Sequence, residues 1–157
     1  MKSILIIGAS NAGKSTTARE VCKRLKPTKV YKLKADKNDL IQSQINISTV
    51  DNIFNDTFII EVKNKLILVV SGAPTEQNIK ITILIKICIE IGIDISFALV
   101  FMRSFEKRNG FSTQNELEKL SEIIYTEKIY RINGDYENSE EWNKRVNKIV
   151  ELINDNI

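Results

Sequence analysis

The sequence predicts a three-layer α/β domain on a mainly parallel sheet, with one β-hairpin at about residues 58–70. Three observations lead there. Short apolar runs alternate with helical spacing along the chain, the pattern of a sheet covered on both faces. The first run, Ser3 to Ile7, ends in a glycine-bearing segment that opens directly into a helix. Two strand-like runs, Phe58 to Val62 and Leu66 to Val70, are separated only by Lys63-Asn64-Lys65, which is a hairpin connection. A chain of 157 residues suits one domain, 1–157, and contains no repeat or linker.

Ser3 to Ile7 reads as a buried parallel strand. Lys14 to Leu25 follows with Ala18, Val21, Cys22 and Leu25 on one helical face, and Pro27 stops it. Val30 to Leu33 suits a short strand. Ala35 to Asp56 is polar and reads as a long loop with one helical turn, a length that tends to carry function. After the hairpin, Ser71 to Gln77 is a loop. Asn78 to Ile91 reads as a helix with Ile81, Leu84, Ile85 and Cys88 inward and Gly92 as its stop. Ile95 to Met102 is a buried strand and Arg103 to Thr113 a charged loop. Gln114 to Ile124 reads as a helix with Thr113 as N-cap and Glu116 completing a capping box. Lys128 to Ile132 is a last strand. Ser139 caps a final amphipathic helix to Ile153, with Trp142, Val146, Ile149, Val150 and Ile153 inward.

Hydrophobic residues at 43% and charged residues at 27% are ordinary globular values, and the net charge is +3. The lysines are spread along the chain, which points away from a nucleic-acid surface. No apolar run approaches the roughly 18 residues of a membrane span. Ile4 to Ile7 is too short for a signal-peptide core, so a cytoplasmic location is expected. Cys22 and Cys88 lie far apart and there is no histidine, which excludes a zinc site and leaves buried thiols. A general base must then be a carboxylate, a lysine of lowered pKa, a nucleotide phosphate or water.

The chemistry concentrates in GASNAGKST, Gly8 to Thr16, which fits G-x-x-x-x-G-K-[ST]. Gly8 and Gly13 allow backbone angles closed to other residues. The amides of Ala9, Ser10, Asn11 and Ala12 can then converge on phosphates, with the positive end of a helix behind them. Lys14 can reach the β- and γ-phosphates, the Ser15 hydroxyl can ligate Mg²⁺, and Thr16 lies beside the α-phosphate.

Through this motif the chain resembles the P-loop NTPase superfamily. The resemblance covers about the first 25 residues, plus the strand spacing of the remainder. It implies binding of a nucleoside triphosphate with Mg²⁺, and hydrolysis or phosphoryl transfer. The family's usual acid at the end of a second strand is replaced by Ser71. Ser71 could hold a metal-bound water, or Glu76, Asp36 or Asp39 could supply the charge, or catalysis could be weak. The Ser71 to Gln77 loop resembles both the D-x-x-G loop of small GTPases and the D-G-F-P-R-T loop of nucleoside monophosphate kinases, and matches neither fully. Glu76 and Gln77 are the candidates for positioning water. Arg103, in a loop that resembles the basic lid of P-loop kinases, is the candidate for transition-state charge, in cis or across a dimer. The guanine-reading N/T-K-x-D is replaced by Phe101-Met102-Arg103-Ser104, so ATP rather than GTP is the expected nucleotide. Asn133-Gly134-Asp135 reads as a turn, with base contact as its rival.

Three functions are open at this point: an ATP-dependent NTPase, a small-molecule or nucleotide kinase, and a non-enzymatic GTPase-like switch. Their partners would be an acceptor molecule or a protein, and a homo-oligomer is allowed. Strand order should separate them. A switch-like order makes Phe58–Val62 an antiparallel edge strand beside Leu66–Val70, and a kinase-like order puts Val30–Leu33 there, in parallel.

Overall fold

A computed structural model describes residues 1–157. Its seven strands are β1 (Lys2–Gly8), β2 (Lys29–Lys34), β3 (Gln44–Ile47), β4 (Thr57–Val62), β5 (Lys65–Val70), β6 (Ile95–Arg103) and β7 (Glu122–Ile129). Its five helices are α1 (Lys14–Leu25), α2 (Pro74–Gln77), α3 (Ile81–Glu90), α4 (Thr113–Leu120) and α5 (Glu140–Asp155). The strands form one sheet in the order β3-β2-β4-β5-β6-β1-β7.

The sheet is mixed, which corrects the expectation of a mainly parallel sheet with one hairpin. Strand pairs β5–β6, β6–β1 and β1–β7 are parallel, whereas β3–β2, β2–β4 and β4–β5 are antiparallel. The hairpin itself is present. Lys63 (φ 52°) and Asn64 (φ 61°) make its two-residue turn, both left-handed as a tight hairpin requires. Its outer strand β4 is buried along most of its length and cannot be an edge. β2 covers it antiparallel, pairing Val30 with Ile60 and Leu33 with Thr57. β3, drawn from the middle of the expected Ala35–Asp56 loop, then covers β2. Neither strand-order criterion is met as framed, because β4 is antiparallel to β5 but interior, and β2 lies beyond it.

Alternation along the central strands sends side chains to two cores. Ile4, Ile6, Val69, Leu99 and Phe101 pack with Val21, Cys22, Val146 and Ile149 of α1 and α5. Leu5, Ile7, Leu68, Val70 and Val100 pack with Leu84, Cys88 and Leu117 of α3 and α4. No helix is long and apolar enough to cross a membrane.

Several boundaries differ from expectation: α2 lies within the expected Ser71–Gln77 loop, α3 starts at Ile81 rather than Asn78, and β7 stops at Ile129 rather than Ile132. The fourth helix ends at Leu120, and Glu122–Ile129 is strand, because its β-branched and aromatic run pairs along β1 from Lys2 to Gly8. The cap of that helix is Ser112, whose N–H donates to Glu116 Oε2 (3.2 Å), while Thr113 donates instead to Glu106. Ser139 does cap α5, accepting from the Trp142 N–H at 3.1 Å. The carboxyl ends of β1, β5 and β6 bring Gly8, Val70 and Arg103 to one rim of the sheet.

Candidate functional site

The loop from Ala9 to Gly13 lies on this rim between β1 and α1. Its shape depends on close approach. A Cβ on Gly8 would fall 2.9 Å from the Ala12 Cβ and 3.1 Å from Ile129 Cγ1. Asn11 (φ 67°) and Gly13 (φ 90°) are left-handed, and Gly13 is the residue before the helix. Hydrogen bonding inside α1 starts at Thr17 N–H to Gly13 O (2.9 Å), and no side chain caps the helix. The amides of Lys14, Ser15 and Thr16 therefore have no acceptor in the chain, and those of Ser10, Asn11 and Gly13 have none either. A row of unpaired N–H groups at a helix N-terminus is chemically a receptor for an anion.

Lys14 is only 7% exposed and folds back over the loop. Its Nζ donates to Gly8 O (3.0 Å) and Ala9 O (2.8 Å) and lies 4.0 Å from Glu76 Oε1. Arg103 Nε approaches the same carboxylate oxygen at 3.4 Å. Burial lowers the pKa of Lys14, Glu76 opposes that shift, and Arg103 adds to it. Two cations thus share one carboxylate beside unpaired amides, an arrangement short of negative charge.

The cleft over this loop has a volume of about 210 Å³ and is lined among others by Ser10, Lys14, Ser15, Phe54, Asn55 and Glu76. A hollow of about 580 Å³ shares Asn11, Gly13 and Thr16 with it and extends to Asn133, Tyr136 and Trp142. Gly134 (φ 77°) makes the turn there, and Asn133 and Gly134 of that turn also form a wall of the hollow. A second hollow of about 580 Å³, between β7 and α5, is lined by charged side chains such as Glu127, Glu141 and Lys144 and does not reach the loop.

The second-strand loop divides its expected roles. Glu76 lines the cleft. Gln77 is turned inward: its Nε2 donates to Gly72 O (2.6 Å) and its Oε1 accepts from the Thr57 hydroxyl (3.1 Å). The Ser71 hydroxyl is buried without a partner. Asp36 accepts from the amides of Asn38 and Asp39 in its own loop. Of the acids expected to replace the one missing at Ser71, only Glu76 stands at the cleft. Arg108 is tied to Thr75 O (2.8 Å), while Lys107 shares a shallow hollow with Ala9, Ser10 and Arg103.

Two residues that the sequence did not single out complete the site. Asn55 Oδ1 accepts from the Ser15 hydroxyl at 2.6 Å. It is held there because Gly72 packs directly on its backbone, and because Asp56 O accepts from the amides of Ser71 and Gly72, both at 3.0 Å. Nothing in a polar loop marks this asparagine in advance. Arg145 is 7% exposed and donates to Tyr130 O (2.7 Å) and Ala12 O (3.4 Å), pinning the loop to the end of β7. Its signal was legible: it stands three residues after Trp142, on the face of α5 that carries the core. No group of three or more histidine, cysteine, aspartate or glutamate residues is arranged to hold a metal ion. The oxygens present, the Ser15 hydroxyl and the Asn55 carbonyl, suit a hard cation that arrives with phosphates and keeps much of its water. No protein-family model, curated protein or solved structure matches the chain.

Proposed function

We propose that the chain is a cytoplasmic ATP-binding P-loop NTPase that carries out Mg²⁺-dependent hydrolysis or phosphoryl transfer. The observation that carries the reading is the set of unpaired loop amides closed over by the Lys14 ammonium. A triphosphate would give those amides their missing acceptor. It would also draw Lys14 from two neutral carbonyls to anionic oxygens, a charge-assisted contact roughly twice as strong. Ser15 and Asn55 are the residues that would hold Mg²⁺, which would supply positive charge against the phosphates when bound. Glu76, the single carboxylate at the cleft, orients the attacking water or an acceptor hydroxyl. Arg103, released from Glu76, supplies positive charge to the transferring group. The Asn133–Tyr136 wall of the adjoining hollow receives the base. ATP is favoured because no N/T-K-x-D aspartate follows β6 to read guanine.

A thermal-shift and calorimetric panel of ATP, GTP, ADP and GDP with Mg²⁺ tests this, on the native chain and on Lys14→Ala. ATP should stabilise the native chain most, and Lys14→Ala should weaken binding by about 100-fold, the value of a buried charge-assisted contact. Equal binding by both proteins would refute the reading. Faster transfer to an added acceptor than to water would assign the phosphotransferase branch.

A further inference from the structure

We propose that the chain forms a two-fold dimer by pairing β3 with β3 of a second copy. β3 is an edge strand, and its outward backbone groups can be identified. The Ser48 N–H donates to Val30 O (2.9 Å), continuing the register that pairs Asn46 with Lys32 and Gln44 with Lys34. Hydrogen-bonded and non-bonded pairs alternate in an antiparallel ladder. Gln44, Asn46 and Ser48 therefore bond inward to β2, and Ile45 and Ile47 turn their N–H and C=O groups outward.

An unpaired edge is usually protected by charge, proline or cover. This one has none. Leu40 to Val50 contains no charged residue and no proline, in a chain where 27% of residues are charged. Ile45 is 40% exposed and Ile47 is 90% exposed. The other edge of the sheet, β7, carries Glu122, Glu127 and Lys128, so a head-to-tail pairing of β3 with β7 has no matching pattern.

The geometry fits a second copy in particular. Antiparallel pairing about a two-fold axis at Asn46 sets Ile45 opposite Ile47 of the other chain, and Ile47 opposite its Ile45. These are the residues with outward backbone groups, so each pair exchanges two hydrogen bonds. Ile45 and Ile47 share a sheet face, that of their partners Leu33 and Tyr31. The four isoleucines of the dimer then meet in one cluster on that face, and no like charges oppose each other. The contact is self-complementary in backbone and side chains, as a two-fold interface demands.

Sedimentation velocity across the micromolar range tests the pairing on the whole chain. The native protein should show a concentration-dependent dimer. Ile47→Lys, at a position exposed enough to leave the fold intact, places an unpaired ammonium in the cluster twice. It should weaken association by at least about tenfold. The register is tested separately by oxidation of cysteine variants. Asn46 would face its own copy in a non-bonded pair, with Cα atoms about 4.5 Å apart, within disulfide reach. Gln44 would lie about 14 Å from its copy. Asn46→Cys should form a covalent dimer and Gln44→Cys should not. A native chain that stays monomeric throughout, an Ile47→Lys dimer as tight as the native one, or equal cross-linking at both positions would overturn the proposal.

Discussion

Replacing Gly72 by alanine would strike the joint between the sheet rim and the Ser15–Asn55 pair. A Cβ there would lie 2.3 Å from Asn55 O, 2.5 Å from Asn55 C and 3.1 Å from its Cα. All three atoms are backbone, so no rotamer change relieves the clash, and the chain must move by about 1 Å to reach van der Waals contact. Overpacking of this kind costs about 1–3 kcal/mol. The same movement stretches the bonds from Ser71 N and Gly72 N to Asp56 O, each worth about 1 kcal/mol. The sum is about 3–5 kcal/mol, or a fall of about 6–20 °C in melting temperature for a chain of this size. Because Gly72 does not have a positive φ, the contact alone causes the loss. Gly92→Ala is the control. Its φ is +81° with no atom within 4 Å, so it bears only backbone strain, about 1–2 kcal/mol. Differential scanning calorimetry with and without Mg²⁺ and ATP reads both effects, since displacing Asn55 should also shrink the Mg²⁺-dependent part of the ligand shift. A Gly72→Ala protein melting within about 2 °C of the native chain would refute the packing argument.

Glu76→Gln keeps the shape of the cleft and removes the carboxylate between Lys14 and Arg103; turnover should fall by about 100-fold or more while ATP affinity does not fall, as single-turnover kinetics and calorimetry would show. Arg145→Ala leaves the carbonyls of Ala12 and Tyr130 without their donor, so stability should drop by about 2 kcal/mol in urea unfolding, and Arg145→Lys should recover only part because an ammonium cannot span both acceptors. The thiols of Cys22 and Cys88 are pushed up to about 12 by burial, against an ordinary value of 9.0. The folded chain keeps both protons where the unfolded chain releases them, so this contribution to stability is complete below pH 9 and is lost as pH rises toward 12. A Cys22→Ala/Cys88→Ala protein should therefore lose melting temperature less steeply above pH 9 than the native chain, and a thiol reagent at pH 8 should label the native protein only as it unfolds.

Legibility in the sequence followed how local each determinant is. β1, the loop after it and α1 were readable because the apolar run, Gly8, Gly13 and the face of Ala18, Val21, Cys22 and Leu25 act within a few residues of each other. The Lys63-Asn64 turn was readable for the same reason. β3 was not, since Gln-Ile-Asn-Ile is short, half polar and buried nowhere, and only the need of β2 for a partner makes it a strand. The mainly parallel sheet failed on this point: nothing local in Val30 to Leu33 says that it pairs with β4 across the hairpin. Glu122 to Ile124 was misread as the end of a helix because Ile123 and Ile124 suit a helix face as well as a strand, and pairing along β1 decides between them; the strand expected at Lys128 to Ile132 is the far end of β7, which stops at Ile129. In the candidate site, the loop residues and Glu76 were readable by type and spacing, whereas Asn55 reaches Ser15 only through the packing of Gly72.

That packing also bears on why serine stands at the end of β5. The Ser71 side chain is buried and meets no hydrogen-bond donor. A carboxylate in its place would be an unpaired buried charge, which costs far more than an unpaired hydroxyl. Meanwhile one carboxylate, Glu76, already answers to both Lys14 and Arg103 from a half-buried position at the cleft. A second acid would cancel the remaining positive charge of this trio and set two negative groups against an incoming phosphate. With Ser71 neutral, the two cations exceed the one acid beside the unpaired amides of the loop. Under the proposed function, an acid at residue 76 and none at residue 71 leaves a cleft whose charge an anion would complete. The neutral oxygens of Ser15 and Asn55 fit the same logic, because they offer a metal ion too little charge to hold it without the phosphates it accompanies.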